Sequence, residues 1–572
     1  MAATSSRRDW PAVAVAIALG AWLVLPRARL PIGFDGLHVY LPMARSFLAE
    51  GWAFLQRPES LVTAPLAYLY PALLGAAESV VRWANVALLG ATIVLAYLAL
   101  RTAHSREAGI AAAFLLAISP TIRPYIADVL TEPPYLALIG AWIACVALVS
   151  AGRSMAWAIA GGVALGLATL TRPVVMYFAP LMIAVFAFTP DRRSPGQAIG
   201  HRLMVMHVIA LALTAMWILR NAVTFEFPAI ATGAGAALYF GVNPLVDGFE
   251  PAYFGMNYDS GVAQDGASHL SIHADRRLRA IALTELADTP GVVIAEMFAR
   301  KSIAFLFVSS AEASGEPLAW LRSWRVVLAV LAIVAVVARR RNLTVAALAI
   351  LVAYMVAVHL PVFYNHRYSV GAIDLPLTLL AAVGAVEAAR SARTAAVALA
   401  AMAFALGLGL VDVARAGPLA PKPERIPYEV MWLAQVGSSF GVGPGRDPID
   451  IPVAKRPGTP PWDLSMLQVD LAIKDAGKGG GCDAMTVRFK TPDQQDFPAG
   501  RSVRVFLPAP SSGARRLTIG STIPLDLDRE GTLRLEFHCS SPATAEIGTM
   551  AVIAPRREIF YRDRFLERER RP

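Results

Sequence analysis

The sequence predicts a mainly α, polytopic membrane protein of about eleven transmembrane helices with a C-terminal soluble β-sandwich domain. Three observations predict it. Of 572 residues, 56% are hydrophobic and only 16% charged, where a soluble chain carries about a quarter charged residues. Between Trp10 and Val413, apolar runs of roughly 15 to 22 residues alternate with short loops, near the length a helix needs to cross the hydrocarbon core. From Pro418 onward the runs stop, and Asp, Lys, Arg, Gly and Pro become frequent. The boundaries that follow are a transmembrane domain over 1–417 with long outer loops at 27–81 and 220–317, a linker over 418–460, and a soluble domain over 461–572.

Taken in order, the spans fall near 10–26, 82–100, 107–121, 133–150, 157–171, 174–189, 204–219, 318–338, 342–361, 369–389 and 394–413. Arg7 and Arg8 give the first run the look of a signal peptide, but Pro26-Arg27-Ala28-Arg29 lacks a small-residue cleavage pattern, so it reads as an uncleaved anchor. With the N-terminus in the cytoplasm, the inner loops carry Arg101 and Arg106, Arg153, Arg192 with Arg193 and Arg202, Arg339 to Arg341, and Arg390 with Arg393. Basic loops stay inside, which fixes the orientation and puts the C-terminal domain outside. The Ala- and Arg-rich composition suggests a bacterial plasma (inner) membrane. The same placement of arginines explains the net charge of +10 without nucleic acid, since no basic patch interleaved with aromatics occurs. Amphipathic stretches at Val39–Leu48 and Ala280–Phe307 fit helices lying in the membrane interface.

The tail alternates apolar and polar residues over Leu467–Ile473, Met485–Phe489, Val503–Leu507, Arg516–Ile519, Thr532–His538 and Ala545–Ile553, separated by turn-forming residues. Short strands in that rhythm predict a β-sandwich, similar to a carbohydrate-binding jelly roll in fold only. Of three cysteines, Cys145 lies in an apolar run, while Cys482 and Cys539 lie on the oxidising side and are a disulfide candidate.

Charged residues at membrane margins are expensive and are functional candidates by default. Asp35, Asp128 and Glu132, the cations Arg172, Arg220 and Lys301, and His366-Arg367-Tyr368 all fall at the outer ends of spans. Carboxylates can take a proton from a hydroxyl nucleophile, and guanidinium forks match phosphate oxygens. Plainer roles exist for each: Asp35 is a favoured N-cap for a helix starting near Leu37, Glu132 complements a helix dipole, and arginines at span ends snorkel to headgroups. No phosphate loop or dinucleotide fingerprint occurs, nor a close-spaced metal cluster.

The order of these residues resembles the GT-C superfamily of polyprenyl-phosphate-sugar-dependent glycosyltransferases, with its protein mannosyltransferase and lipid A aminoarabinose transferase branches. The resemblance runs from the first span to about residue 385. It is carried by Asp35, Tyr40, Ala44 and Gly51 in the first loop, Glu132, Gly166 to Pro173, Trp217 to Asn221, Tyr239 to Pro244, and His366-Arg367-Tyr368 with Pro376. Two departures stand out: Gly36 occupies a position where many relatives have Glu, and Tyr40 lies about one residue farther from the acid than is usual there. The resemblance implies an enzyme that transfers a sugar from a polyprenyl-phosphate donor to a glycan, lipid or protein acceptor outside the cytoplasm, with inversion. It implies Asp35 as general base or positioner of the acceptor hydroxyl, Glu132 and Asp128 as groups orienting the acceptor or a divalent cation (Mg or Mn) if one is used, and Arg172, Arg220, Lys301 and Arg367 as donor-phosphate ligands. Tyr40, Asn243, His366 and Tyr368 are then substrate contacts, His366 having a structural reading as well. Two other functions share the pattern: a transporter or flippase of lipid-linked glycans, and a non-catalytic assembly factor of the same fold. Transport predicts charges near the bilayer midplane, whereas the candidates here gather at one rim.

Overall fold

All the apolar runs named above are helical in a computed structural model of the chain. The structure describes residues 9–26, 32–33, 35–188, 196–242, 270–307, 318–414, 428–453, 466–475, 482–492, 494, 496, 502–506, 515–520 and 530–555. Leaving single turns aside, the helices are α1 (Trp10–Val24), α2 (Leu41–Glu50), α3 (Pro65–Leu73), α4 (Glu78–Ala103), α5 (Arg106–Ile118), α6 (Glu132–Ser150), α7 (Met155–Thr171) and α8 (Phe178–Phe188). They continue as α9 (Gly196–Phe225), α10 (Ala234–Gly241), α11 (Ile272–Asp288), α12 (Gly291–Phe307), α13 (Leu318–Arg339), α14 (Leu343–His359), α15 (His366–Ala389) and α16 (Ala392–Ala414).

Among the described residues, five stretches are long and apolar enough to cross a bilayer: Glu78–Ala103, Glu132–Ser150, Ile199–Phe225, Trp320–Arg339 and Arg367–Ala389. Shorter apolar helices, α1, α7 and α14 among them, accompany these. Two of the five are central. The apolar windows of Arg367–Ala389 and Glu132–Ser150 are 89% and 78% buried, against 28% to 44% for the rest. Helices apolar on every side belong inside, and these two carry Arg367 and Glu132 at their first turns.

Small residues let the helices approach. A Cβ at Gly384 would stand 1.9 Å from the Leu331 carbonyl oxygen, and one at Gly162 would stand 2.4 Å from that of Met206. Close backbone contact of this kind replaces hydrophobic driving force where the surroundings are as oily as the side chains. Deeper in the bundle, Arg325 of α13 grips Asp374 of α15 bidentately, at 2.7 and 2.9 Å, with both side chains fully buried. Arg325 also donates to the Phe305 and Leu306 carbonyls at the end of α12. Sequence reasoning misses this pair.

At the end of the bundle away from Glu132, Arg101 and Arg106 pair with Asp9, and Glu387 binds His104, Arg339 and Arg390 at 2.7 to 3.0 Å. Asn342 donates to the Ala103 carbonyl there. Basic loops distant in sequence thus meet at one end.

A second compact unit comprises 233–289 and 423–572. In its helical part α10 packs on α11, and Asp275 accepts from Gly235 N (2.7 Å) and Arg279 (2.8 Å). Its β part has two antiparallel four-stranded sheets in the orders β1-β8-β3-β6 and β2-β7-β4-β5. The six expected strands are β3 (Met466–Asp475), β4 (Cys482–Lys490), β5 (Ser502–Phe506), β6 (Arg515–Gly520), β7 (Gly531–Cys539) and β8 (Ala543–Pro555). The segment 418–460, expected as a linker, carries two more: β1 (Tyr428–Val442) and β2 (Ile449–Val453). Its Gly and Pro disguised them. Gly443 and Gly445 take positive φ in the turn between β1 and β2, and Pro452 sits in an edge strand, where a missing N–H is tolerated. Alternate residues Ile449, Ile451 and Val453 are buried with Leu467, Val487 and Leu533 in one core.

Cys482 and Cys539 face each other across β4 and β7 and form a disulfide. The bond closes a sequence separation of 57 residues, for which the chain-entropy argument gives about 4 kcal/mol. The double variant Cys482→Ser, Cys539→Ser should lower the stability of the β unit by up to about 4 kcal/mol in chemical denaturation. An unchanged midpoint would contradict this.

Candidate active site

Asp35 arrives on the loop that follows α1, and the chain turns at once into helix. Gly36–Tyr40 form a single turn of π-helix that runs into α2, with Leu41 N donating to Gly36 O. A π-turn spans five residues per backbone bond, so Tyr40 rather than residue 39 stands over Asp35. Its hydroxyl donates to Asp35 Oδ2 at 3.3 Å. The five-residue spacing from acid to tyrosine is thus bridged by this widened turn. Gly36 has a packing cause too: a Cβ there would lie 2.7 Å from the Val129 carbonyl oxygen and 2.9 Å from its Cβ. No acidic side chain fits at that position.

Glu132 is the first residue of α6, followed by Pro133 and Pro134, whose missing N–H groups are harmless in a first turn. Arg367 lies in the first turn of α15, whose N-cap Asn365 accepts from Arg367 N at 2.7 Å. These two helix starts and the first loop converge. Arg367 pairs through Nη1 with Asp35, and through Nε and Nη2 with the two oxygens of Glu132, the latter at 3.2 Å. Its Nη2 also reaches Tyr40 OH at 3.4 Å. Arg172, at the end of α7, pairs with Glu132 Oε1 at 2.7 Å. The Arg172 guanidinium lies 5.7 Å from the Tyr135 ring and 5.9 Å from the Tyr368 ring.

Glu132, in the first turn of α6, still complements that helix's dipole, whereas Asp35 and the arginines do not take their plainer roles. Asp35 makes no capping hydrogen bond to the turn it precedes, and Arg172 and Arg367 turn inward to carboxylates. Glu132 is fully buried between two guanidiniums, whereas the Asp35 side chain is 35% exposed. Buried ions persist only when paired, so Glu132 is held by its two guanidiniums, and Asp35 is the acid that solvent can reach. Burial and the neighbouring Asp35 charge hold the Tyr40 hydroxyl above the ordinary phenol range.

Of the other expected residues, Tyr368 adjoins this group through Arg172, while Asp128, Arg220 and Lys301 bind partners outside it. Both Asp128 oxygens accept from Gly33 N at 3.0 Å. Arg220 stacks between Trp217 and Phe225, each at 4.9 Å, and donates to Asn221, which holds the Ala229 and Ile230 carbonyls. Lys301 of α12 donates to the Leu360 and Val362 carbonyls at the end of α14, and burial pushes its ammonium down to about 7. It lines a narrow cleft with His359, Tyr364, Asn365 and Tyr368. Tyr368 packs near Phe363 and His359. Asn243 and the side chain of His366 lie outside the described residues.

Asp35 and Glu132 are engaged by arginines and Asp128 by backbone N–H groups; among the described residues no three acidic, His or Cys side chains form a metal-holding group. Sequence reasoning missed two neighbours of the site: Asn85, a lone amide in an apolar helix, and Gly371, which faces Arg172. The first had a signal, since a polar side chain in a span is rarely idle.

With this geometry in view, residues 57–218 match the family model of dolichyl-phosphate-mannose-protein mannosyltransferase. The matched segment contains Asp128, Glu132 and Arg172 and places the GT-C resemblance there independently of Asp35 and Arg367. A search of curated proteins found no match. Among solved structures the chain is similar to the archaeal oligosaccharyltransferase AglB from Archaeoglobus fulgidus in complex with an inhibitory peptide and a dolichol-phosphate. Identity is 14% and the TM-score 0.42, over 74% of this chain and 57% of that one. It is also similar to ArnT from Cupriavidus metallidurans bound to undecaprenyl phosphate, at 16% identity and TM-score 0.30, over 68% of this chain and 79% of that one. The chain therefore spans little more than half the length of the oligosaccharyltransferase.

A Cβ at Gly371 would fall 2.2 Å from Arg172 Nη1. Gly371→Ala should push the guanidinium off Glu132 and destabilise the bundle by about 1–3 kcal/mol, read as a lowered unfolding temperature. A variant as stable as the parent would show that Arg172 has room to move.

Proposed function

We propose that the protein is a membrane glycosyltransferase that moves a sugar from a polyprenyl-phosphate donor to an acceptor hydroxyl at the extracytoplasmic face, with inversion. One observation carries this reading: a single arginine, Arg367, holds a partly exposed carboxylate and a buried one at the same helix-lined mouth. The family match over 57–218 supports it.

In this mechanism the donor phosphate docks on Arg367 and competes with Asp35 for Nη1. Asp35, released, accepts the proton of the acceptor hydroxyl while that oxygen attacks the anomeric carbon from the face opposite the phosphate. The bond from the anomeric carbon to the phosphate oxygen breaks, and its electron pair leaves with the polyprenyl phosphate. Arg367 stabilises the growing negative charge, and Glu132 with Arg172 keeps Arg367 aimed. Lys301, at the edge of the cleft beside Asn365 and Tyr368, is a second phosphate ligand, and the isoprenoid tail lies between helices. Arg220 binds phosphate only if it leaves its stack on Trp217 and Phe225.

The basic end of the bundle faces the cytoplasm, since arginine-rich loops are retained there, and the site opens on the outer face of a bacterial inner membrane. Cysteine placed at Arg340 should label only from the cytoplasmic side and cysteine at Asp450 only from outside. Labelling of both from one side removes this orientation.

General base catalysis contributes about 10²- to 10⁴-fold. Asp35→Asn should therefore reduce transfer from polyprenyl-phosphate sugars by at least about a hundredfold while the purified protein unfolds at its usual temperature. Normal turnover by this variant would exclude Asp35 as the base.

A further inference from the structure

Asp128 behaves like a fastener for the backbone. Both of its oxygens accept from Gly33 N at 3.0 Å, and Oδ1 also accepts from Val129 N at 2.7 Å. Gly33 is two residues before Asp35, and its own carbonyl accepts from Leu37 N at 3.0 Å, inside the turn that carries Asp35 and Tyr40. The approach is so close that a Cβ at Gly33 would stand 2.7 Å from Asp128 Oδ2. Gly36, on the other side of Asp35, rests against the Val129 carbonyl in the same way. The first loop is thus docked by its backbone, on both sides of the acid, onto residues 128 and 129.

The fastener is itself held. Asn85, fully buried in α4, donates to the Asp128 carbonyl at 2.6 Å and accepts from Tyr70 OH of α3 at 2.8 Å. An amide inside an apolar helix is costly unless satisfied, and here each end of it is. The chain Tyr70–Asn85–Asp128–Gly33 joins two helices to the loop and ends beside Asp35, while Glu132, four residues on from Asp128, reaches Arg367.

We propose that Asn85 and Asp128 are positioning residues: they fix where Asp35 stands relative to Arg367 and touch no substrate. The kinetic arm of this proposal rests on the transferase reading above; the structural arm does not. A misplacement of about 1 Å at a reacting group costs on the order of a hundredfold in rate, so such a fastener has a measurable effect on turnover.

The full chain in lipid nanodiscs allows a test by hydrogen exchange and by transfer assay. Asn at position 128 keeps one oxygen to accept from Gly33 N and Val129 N, and Ala keeps none. Asp128→Ala and Asn85→Leu should speed amide exchange of peptides covering 32–40 by about tenfold, with peptides from α13 and β7 unchanged; Asp128→Asn should stay close to the parent. With polyprenyl-phosphate sugar as donor, Asp128→Ala should lower kcat by about ten- to a hundredfold at unchanged donor KM, and Asp128→Asn should restore most of it. Asp35→Asn should not be rescued in that manner. If Asp128→Ala does not fold, Gly33→Ala, which drives a methyl onto Oδ2, should loosen the same peptides.

Unchanged exchange at 32–40 in the Ala or Leu variant overturns the proposal. So does an Asp128→Asn variant as inactive as Asp35→Asn with parental exchange, which would make Asp128 a chemical participant. Faster exchange in a protein whose parent transfers no sugar from any polyprenyl-phosphate donor keeps the fastener and removes the transferase reading.

Discussion

The membrane unit is organised around the guanidinium of Arg367. It joins Asp35 and Glu132, which stand 332 and 235 residues away in the chain, and it does so at the first turn of a helix that is otherwise largely buried. Three ions in so confined a place are tolerable only because the signs alternate and each carboxylate has a donor. Arg172 completes the balance from the far side of Glu132. Two carboxylates and two guanidiniums therefore share one mouth, and the Asp35 carboxylate is the more exposed of the pair of acids.

Much of the bundle serves to keep that arrangement still. Pro133 and Pro134 set the start of α6, Asn365 sets the start of α15, and Gly371 leaves space for Arg172 one turn from Arg367. Seven residues, or two helical turns, beyond Arg367, Asp374 locks α15 to α13 through Arg325. Arg325 at the same time holds the end of α12, the helix that carries Lys301. Two ion pairs on one helix thus link the mouth to the interior.

The sequence made the helices plain because an apolar run of bilayer length has few alternatives to a buried or membrane-crossing helix, and it made β3 to β8 plain because alternation survived between turn residues. The strands at Tyr428–Val442 and Ile449–Val453 were hidden where Gly and Pro density mimicked a linker. Candidate acids and arginines could be picked out by their cost in a membrane margin, but their partners could not. Nothing local distinguishes Arg367, which meets two carboxylates, from Arg220, which stacks on Trp217 and Phe225. Arg325 with Asp374, and Asn85 with Asp128, are contacts between segments far apart, and a single sequence carries no trace of such pairings.

The widened turn at Gly36–Tyr40 bears on how related chains are compared. A π-turn brings the residue five positions on over the acid, where an α-turn brings the residue four positions on, so a fixed count of four from Asp35 would pass over Tyr40. Spacings of four in an α-turn and of five in a π-turn are therefore equivalent in reach. Searches for further members of such a group should let that spacing float.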